Sequence, residues 1–369
     1  MKLLFTGDIM PGGVLPYQTE WVSDRLLKFL KNFDLRIGTL ECSIGDNFPF
    51  DEIKMNGKMN IIYSPEKELE RVKTLGFDVV TLANNHVFDL GKDGFQNTIK
   101  MLDDIGISHC GVGMNIEEAS RPAIVQVRGK RLAFLAYCQY GSKYIGHVPL
   151  ASSDEPGINP LDIHRCLSDI RKAKTEYDYV FVMPHWGIEY QYLPTPECRK
   201  MAYQMIEAGA DGVFASHTHK IQPLISYLKR PIAFSMGNFM FPDYLMTPPR
   251  PIWYPDKSYD FSKLKHFKFY PDNIDKPCVQ EWNHLSRVGM AIVYQTKGNS
   301  VDTSYFLTYL NKENIIDFYN KPANLKRRMK WMGVFTKTFG YGFNYKLYNS
   351  RWNVLRRGYH FVTRPFTTK

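Results

Sequence analysis

Short apolar runs that stop abruptly at polar residues set the rhythm of this chain. Residues 77–82 are β-branched and aromatic and too few for a helix, so they predict a buried strand. That run passes straight into Asn84, Asn85 and His86, followed by the loop chemistry of residues 87–94 and a predicted helix over 95–104. The same pattern recurs. Residues 2–9 predict a strand ending at Gly7-Asp8, 35–40 one ending at Glu41, and 179–183 one ending at Pro184-His185-Trp186-Gly187. Residues 212–215 end at Ser216-His217-Thr218-His219.

Helical spacing fills the intervals. Residues 21–30 and 160–175 carry helical periodicity. Ser64-Pro65-Glu66 predicts an N-capped start for a helix reaching about residue 75, and Thr195-Pro196-Glu197 does the same for one closing at Gly209. Residues 123–127 with 131–138, and 224–227 with 231–235, predict hairpins, and 287–295 and 301–310 two late strands. Residues 44–60 read as loop. Residues 242–282, rich in Pro, Tyr, Phe and Asp with weak periodicity, read as a long insertion or lid. Alternating strands and helices with interposed hairpins predict an α/β fold of mixed sheets.

Composition changes this picture little. A chain of 369 residues with 44% hydrophobic and 23% charged content is ordinary for a globular protein. No apolar run reaches membrane-spanning length, and Met1-Lys2-Leu3-Leu4-Phe5 has no secretory pattern, which sets an expectation of a cytoplasmic or peripheral inner-membrane location. The six cysteines, without a C-x-x-C pair, read as small buried hydrophobes. Charge matters more. Residues 325–369 hold eleven Lys and Arg and no Asp or Glu, so this stretch accounts for the whole net charge of +10. Its basic residues alternate with aromatics (Trp331, Phe335, Phe339, Tyr341, Phe343, Tyr345, Tyr348, Trp352, Tyr359), which suits an anionic membrane surface; an acidic polymer is an alternative and nucleic acid the weaker one.

Each polar strand end has a plain explanation on its own, since Asp after Gly is common turn chemistry and a lone buried His is usually satisfied in the core. Together they deliver carboxylate, amide and imidazole from five strand ends to one rim, a donor set suited to divalent Mn, Fe or Zn. In an extended segment His217 and His219 would point the same way and flank an ion.

Gly7-Asp8, Leu40-Glu41, Ala83-Asn84-Asn85-His86 with Asp89 and Gly91, Pro184 to Tyr190, His217 to Pro223 and Ser235-Met236-Gly237-Asn238-Phe239 resemble the motif series of CapA-type capsule and poly-gamma-glutamate biosynthesis proteins. These are related to calcineurin-like metallophosphoesterases. The resemblance runs over about residues 2–310. It implies a four-layer α-β-β-α sandwich over residues 1–315, with 242–283 as insertion or lid and 316–369 as a basic aromatic extension. It also implies two divalent ions: Asp8 and His219 on one, Asn85, His185 and His217 on the other, Glu41 bridging, and His86 as general acid. Two such ions can acidify a water and clamp the oxygens of an in-line displacement. Where ordinary phosphoesterases carry Asp-x-His, this chain has Asp8-Ile9-Met10.

Candidate substrate contacts are Asn84, Trp186, Glu189, Asn238 and Arg287. Trp186 with Tyr190 could form an aromatic wall or simply pack. Glu189 could orient a ligand histidine or pair with a lysine. Asn238 could reach the site or merely make a turn, and Arg287 could neutralise a phosphate or sit in a surface salt bridge. The expectation is phosphoester hydrolysis in a glycan, glycolipid or polymer-linked intermediate of capsule or exopolysaccharide synthesis. A non-catalytic assembly or export factor that uses the fold as a polymer-binding scaffold is the alternative, and a nuclease-like phosphodiesterase is a third.

Overall fold

The computed structural model describes residues 1–46, 61–141, 148–248, 250–268, 274–298, 300–320 and 323–349. Most of the loop read at 44–60, and Trp352 and Tyr359 in the basic stretch, lie outside these residues. Two mixed sheets dominate. The first has eight strands, in the order Ile316–Phe318, Ser300–Leu310, Val288–Lys297, Lys2–Ile9, Leu35–Leu40, Val79–Thr81, Ser108–Cys110, with Asn238–Met240 also pairing to Lys2–Ile9. The second has six, in the order Leu224–Tyr227, Arg230–Ala233, Gly212–Phe214, Tyr179–His185, Lys130–Cys138, Ala123–Val127. The second is parallel at the centre and antiparallel at both margins, while the first is parallel from Lys2–Ile9 to its edge at Ser108–Cys110 and antiparallel on the other side. Central parallel strands are covered on both faces, and Lys2–Ile9 accordingly buries every residue but the first.

Alternation along Lys130–Cys138 shows how the second sheet divides two cores. Leu132, Phe134, Ala136 and Cys138 join the core shared with the first sheet, while Ala133, Leu135 and Tyr137 join a second core with helices Ile163–Glu176 and Pro196–Glu207. Between the sheets Phe5 stacks on Phe214 at 3.8 Å and meets Phe181 at 5.0 Å. Helix starts follow cap chemistry: Ser23, Asp162 and Thr195 each accept a backbone N–H three residues on.

Three expectations need correction. Ser64 caps no helix: its backbone pairs as strand Tyr63–Ser64 against Ser43–Ile44, and only a 3-10 turn, Glu66–Leu69, and the short helix Glu70–Thr74 follow. The helix expected over 95–104 starts earlier, at Gly91. The region read as an insertion holds its own small sheet of Tyr244–Met246, Cys278–Gln280 and Lys265–Phe267. The basic stretch also folds: helix Ala323–Lys337 is followed by a helix over 341–349, with Met329, Tyr341 and Tyr345 buried. Among the described residues no helix is long and apolar enough to cross a membrane.

Candidate metal centre

The two sheets bring different chemistry to one place. In the first, the parallel neighbours Lys2–Ile9, Leu35–Leu40 and Val79–Thr81 deliver Asp8, Glu41 and Asn84-Asn85-His86 at their carboxyl ends. Asp8 sits opposite Asn238 in register, and its amide donates to Gly237 O at 3.0 Å. This approach requires Gly7, because a Cβ there would lie 1.7 Å from Gly237 O. In the second sheet, Tyr179–His185 ends on His185, and the chain after Gly212–Phe214 bends through Ser216 into His217 and His219.

The extended-segment argument for the two histidines does not hold. His217 and His219 have φ of 97° and 51°, so His-Thr-His is a folded loop with ring centroids 6.4 Å apart. Thr218 fixes it from inside, its hydroxyl bonded to Lys220 O at 3.0 Å and to the Ser235 hydroxyl at 2.9 Å.

Two groups of donor atoms result, Glu41/His185/His217 and Asp8/Glu41/His219, each gathered within 4.8 Å. Glu41 belongs to both. His185 Nε2 lies 3.3 Å from Glu41, and His219 Nδ1 lies 3.7 Å from Asp8 and 3.9 Å from Glu41. All five side chains are buried. Among the described residues, neither ring nitrogen of His217 has a hydrogen-bond partner, nor does Asp8 Oδ1. Orphaned polar atoms are rare in a core, and lone pairs gathered this way fit a cation. Burial pushes His185 and His219 down to about 3, and holds His217 well below its ordinary value, with the neighbouring imidazoles adding to it. Neutral rings keep their lone pairs for a metal. Asp8 is raised well above the carboxylate range, by burial first and then by the charge of Glu41. Two acids sharing a dry site favour a cation between them.

Around the donors, side chains hold side chains. His185 Nδ1 bonds the Ser216 hydroxyl at 3.0 Å, which meets the Thr39 hydroxyl of the other sheet at 3.1 Å. Asn85 Oδ1 is 2.8 Å from His185 Nε2. His86 Nδ1 lies 2.6 Å from Asp89 Oδ2, which also accepts the Ile62 amide at 2.6 Å. Asp89 had only a motif position in the sequence; an acid three residues after a histidine in a loop was the available signal.

The five candidate substrate contacts fare differently. Asn84 braces strand ends, donating to Leu40 O at 2.7 Å and accepting the His86 amide at 2.9 Å. Trp186 is no wall of the site: it points opposite to His185 into the second core, its indole donating to Phe234 O at 3.0 Å. Asn238 Oδ1 bonds His219 Nδ1 at 2.8 Å, so it positions that ring. Glu189 is half-buried on the loop after His185. Arg287 is not at the surface. Buried, it binds Asp243 at 2.6 Å and donates to Trp282 O and Asn311 O at 3.0 and 2.9 Å.

An aromatic wall does flank His219, made by Trp282, Phe241 and Tyr190 with ring centroids at 4.9, 5.4 and 6.0 Å. Sequence reasoning missed Trp282 and Phe241, which lie at the two edges of the presumed lid. Met10 is buried with its sulfur accepting the Gly12 amide at 3.2 Å.

A mixed α/β fold holding a buried cluster of carboxylates and imidazoles is thus the frame. The family model described as bacterial capsule synthesis protein PGA_cap matches residues 2–243, and the chain belongs to that family. It is 30% identical over 252 residues to the capsule biosynthesis protein CapA of Bacillus anthracis, covering 65% of this chain and 60% of that protein. It is 28% identical over 240 residues to the PGA biosynthesis protein CapA of Bacillus subtilis (strain 168), covering 64% and 62%. The chain therefore spans about three-fifths of the length of these relatives.

Proposed function

We propose that this chain is a metal-dependent phosphoester hydrolase acting in capsule or poly-gamma-glutamate-type polymer synthesis, on a four-layer α-β-β-α sandwich of the metallophosphoesterase kind. The observation that supports this reading above others is Glu41, shared by two donor groups that otherwise differ. Asp8 and His219 would hold one divalent ion, Asn85, His185 and His217 the other, and Glu41 both. When bound, such a pair of Mn, Fe or Zn ions supplies an acidified water and neutralises charge on phosphoryl oxygens.

The chain's own residues do the rest. Asp89 Oδ2 holds His86 at Nδ1, 2.6 Å away, which leaves Nε2 as the nitrogen that would pass a proton to the departing oxygen. Asn84 fixes the His86 backbone, and Asn238 and Ser216 orient His219 and His185. Trp282, Phe241 and Tyr190 keep water from the His219 side. The substrate class that suits this arrangement is a phosphoester in a glycan, glycolipid or polymer-linked intermediate. Met10 favours a second reading, a polymer-binding scaffold without turnover, because it removes a donor that ordinary phosphoesterases possess.

The test is the metal content of the purified chain beside His185→Ala and His217→Ala, followed by turnover of bis-p-nitrophenyl phosphate. About two ions per chain, falling to about one in each variant, with turnover by the unaltered chain, is the expected result. Metal without turnover would leave the scaffold standing. No metal after incubation with Mn, Fe and Zn would sink the hydrolase reading.

A further inference from the structure

We propose that the outer face of the two C-terminal helices is a docking surface for an anionic lipid bilayer. The inner faces are already occupied. Met329, Gly333 and Thr336 of Ala323–Lys337 are buried, with Gly333 against Leu224 and Ile225, and Tyr341 and Tyr345 are buried beside Leu193. What remains turned outward mixes cations with large apolar side chains that a surface helix normally keeps inside. Trp331 and Val334, 71% and 54% exposed, lie on the side of the helix opposite Met329 and Gly333. Phe339 is fully exposed at the junction of the helices, and Phe343 and Leu347, 76% and 48% exposed, continue the apolar surface on the second. Half of the ten large hydrophobic side chains exposed among the described residues belong to these 27 positions, 323–349, so exposed apolar groups are concentrated here.

Charge identifies the occupant. Residues 323–349 carry six Lys and Arg and no Asp or Glu. Lys326, Lys330 and Lys337 line a groove between this helix and strand Leu224–Tyr227, beside Tyr305. Cations flanking exposed indole, phenyl and aliphatic groups match the layered chemistry of a membrane interface, where apolar groups enter the acyl boundary and ammonium groups meet lipid phosphates. A nucleic acid or acidic polymer would use the same cations and could stack on the aromatics, but Val334 and Leu347 have nothing to gain from it. The bilayer accounts for all of these residues. This inference does not depend on the proposed chemistry of the metal centre.

The experiment is flotation of the whole chain with phosphatidylcholine vesicles, with and without phosphatidylglycerol at about one lipid in three, as salt is raised. Two variants accompany it: Trp331→Ser/Phe339→Ser/Phe343→Ser and Lys330→Glu/Lys337→Glu. All five residues are exposed, and circular dichroism of each variant verifies the fold. The expected result is binding to the anionic vesicles only, weakened about tenfold or more by either variant. Absence of binding to anionic vesicles at low salt would overturn the proposal. So would binding that survives the apolar variant unchanged, or tighter retention by single-stranded DNA that is insensitive to that variant.

Discussion

The two sheets contribute to the candidate centre in unlike ways. The first supplies Asp8, Glu41 and Asn85, all at or just past the ends of adjacent parallel strands whose register fixes where they stand. The second supplies only imidazoles, and two of its three come from a loop in left-handed conformation. Such backbone costs on the order of 1–3 kcal/mol per non-glycine residue and persists only where the surroundings determine it. Here the surroundings are the Thr218 hydroxyl bonds and the Tyr190 amide donating to Thr218 O at 2.8 Å. Charge is placed by rigid register and neutral donors by a supported loop. In the proposed reading the acids would set where a cation sits, and the loop would decide whether it is held.

The sharpest way to break this comparison is Glu41→Gln, which touches both donor groups. Elemental analysis should find both ions lost and turnover abolished, whereas Asp8→Asn or His217→Ala should each spare one ion. His86→Gln comes next: turnover of a phosphodiester probe should fall about 10²–10⁴-fold with metal content unchanged. Asp89→Asn should lower turnover in the same direction by less. Ser216→Ala cuts the one side chain that joins His185 to Thr39 across the sheets, and titration should show metal affinity about 10–100-fold weaker.

The smallest effect carries the clearest sign. In the metal-free chain, His185 and His219 stay neutral down to about 3 while unfolded histidine protonates near 6.5. The unfolded state therefore binds more protons between those values, and stability is lost as pH falls through that window. Asp8, raised in the fold, works the other way: its contribution is present below the ordinary value of 3.8 and is lost as pH rises above it. Melting temperature against pH should show the acid-side slope flattened by His185→Gln and the opposing one removed by Asp8→Asn, with both suppressed by bound metal.

Legibility followed the same division. Lys2–Ile9 and Leu35–Leu40 were readable to the residue, because they are short apolar runs that stop at polar residues, and Asp8 and Glu41 came with them. The loop carrying His217 and His219 was readable as a donor pair but not as a conformation, since nothing local announces left-handed histidine. Trp186 misled because a strand residue next to a donor necessarily faces away from it. Arg287, Trp282 and Phe241 were beyond reach, as their surroundings are set by contacts distant in sequence, such as Arg287 with Asp243 across 44 residues. The C-terminal helices were hidden by composition: density of Lys, Arg and aromatics obscured a buried side as narrow as Met329, Gly333 and Thr336.

Those helices also grip the loop that follows His185. Tyr341 donates to Pro194 O at 2.6 Å, and Gln191 donates to Asn349 at 2.9 Å. Gln191 O in turn accepts from Gln222 at 3.0 Å, three residues past His219. At the other extreme, Asp8 accepts the His217 amide from 209 positions away. No contiguous fragment short of nearly the whole chain contains all of these contacts, and contacts so distant in sequence form slowly. Acquisition of metal would then be a late event in the life of each molecule, occurring once the last helix has closed on the loop. On the proposed reading, a chain without those helices would leave the loop after His185 without two of its braces, and a lowered metal content would report their loss.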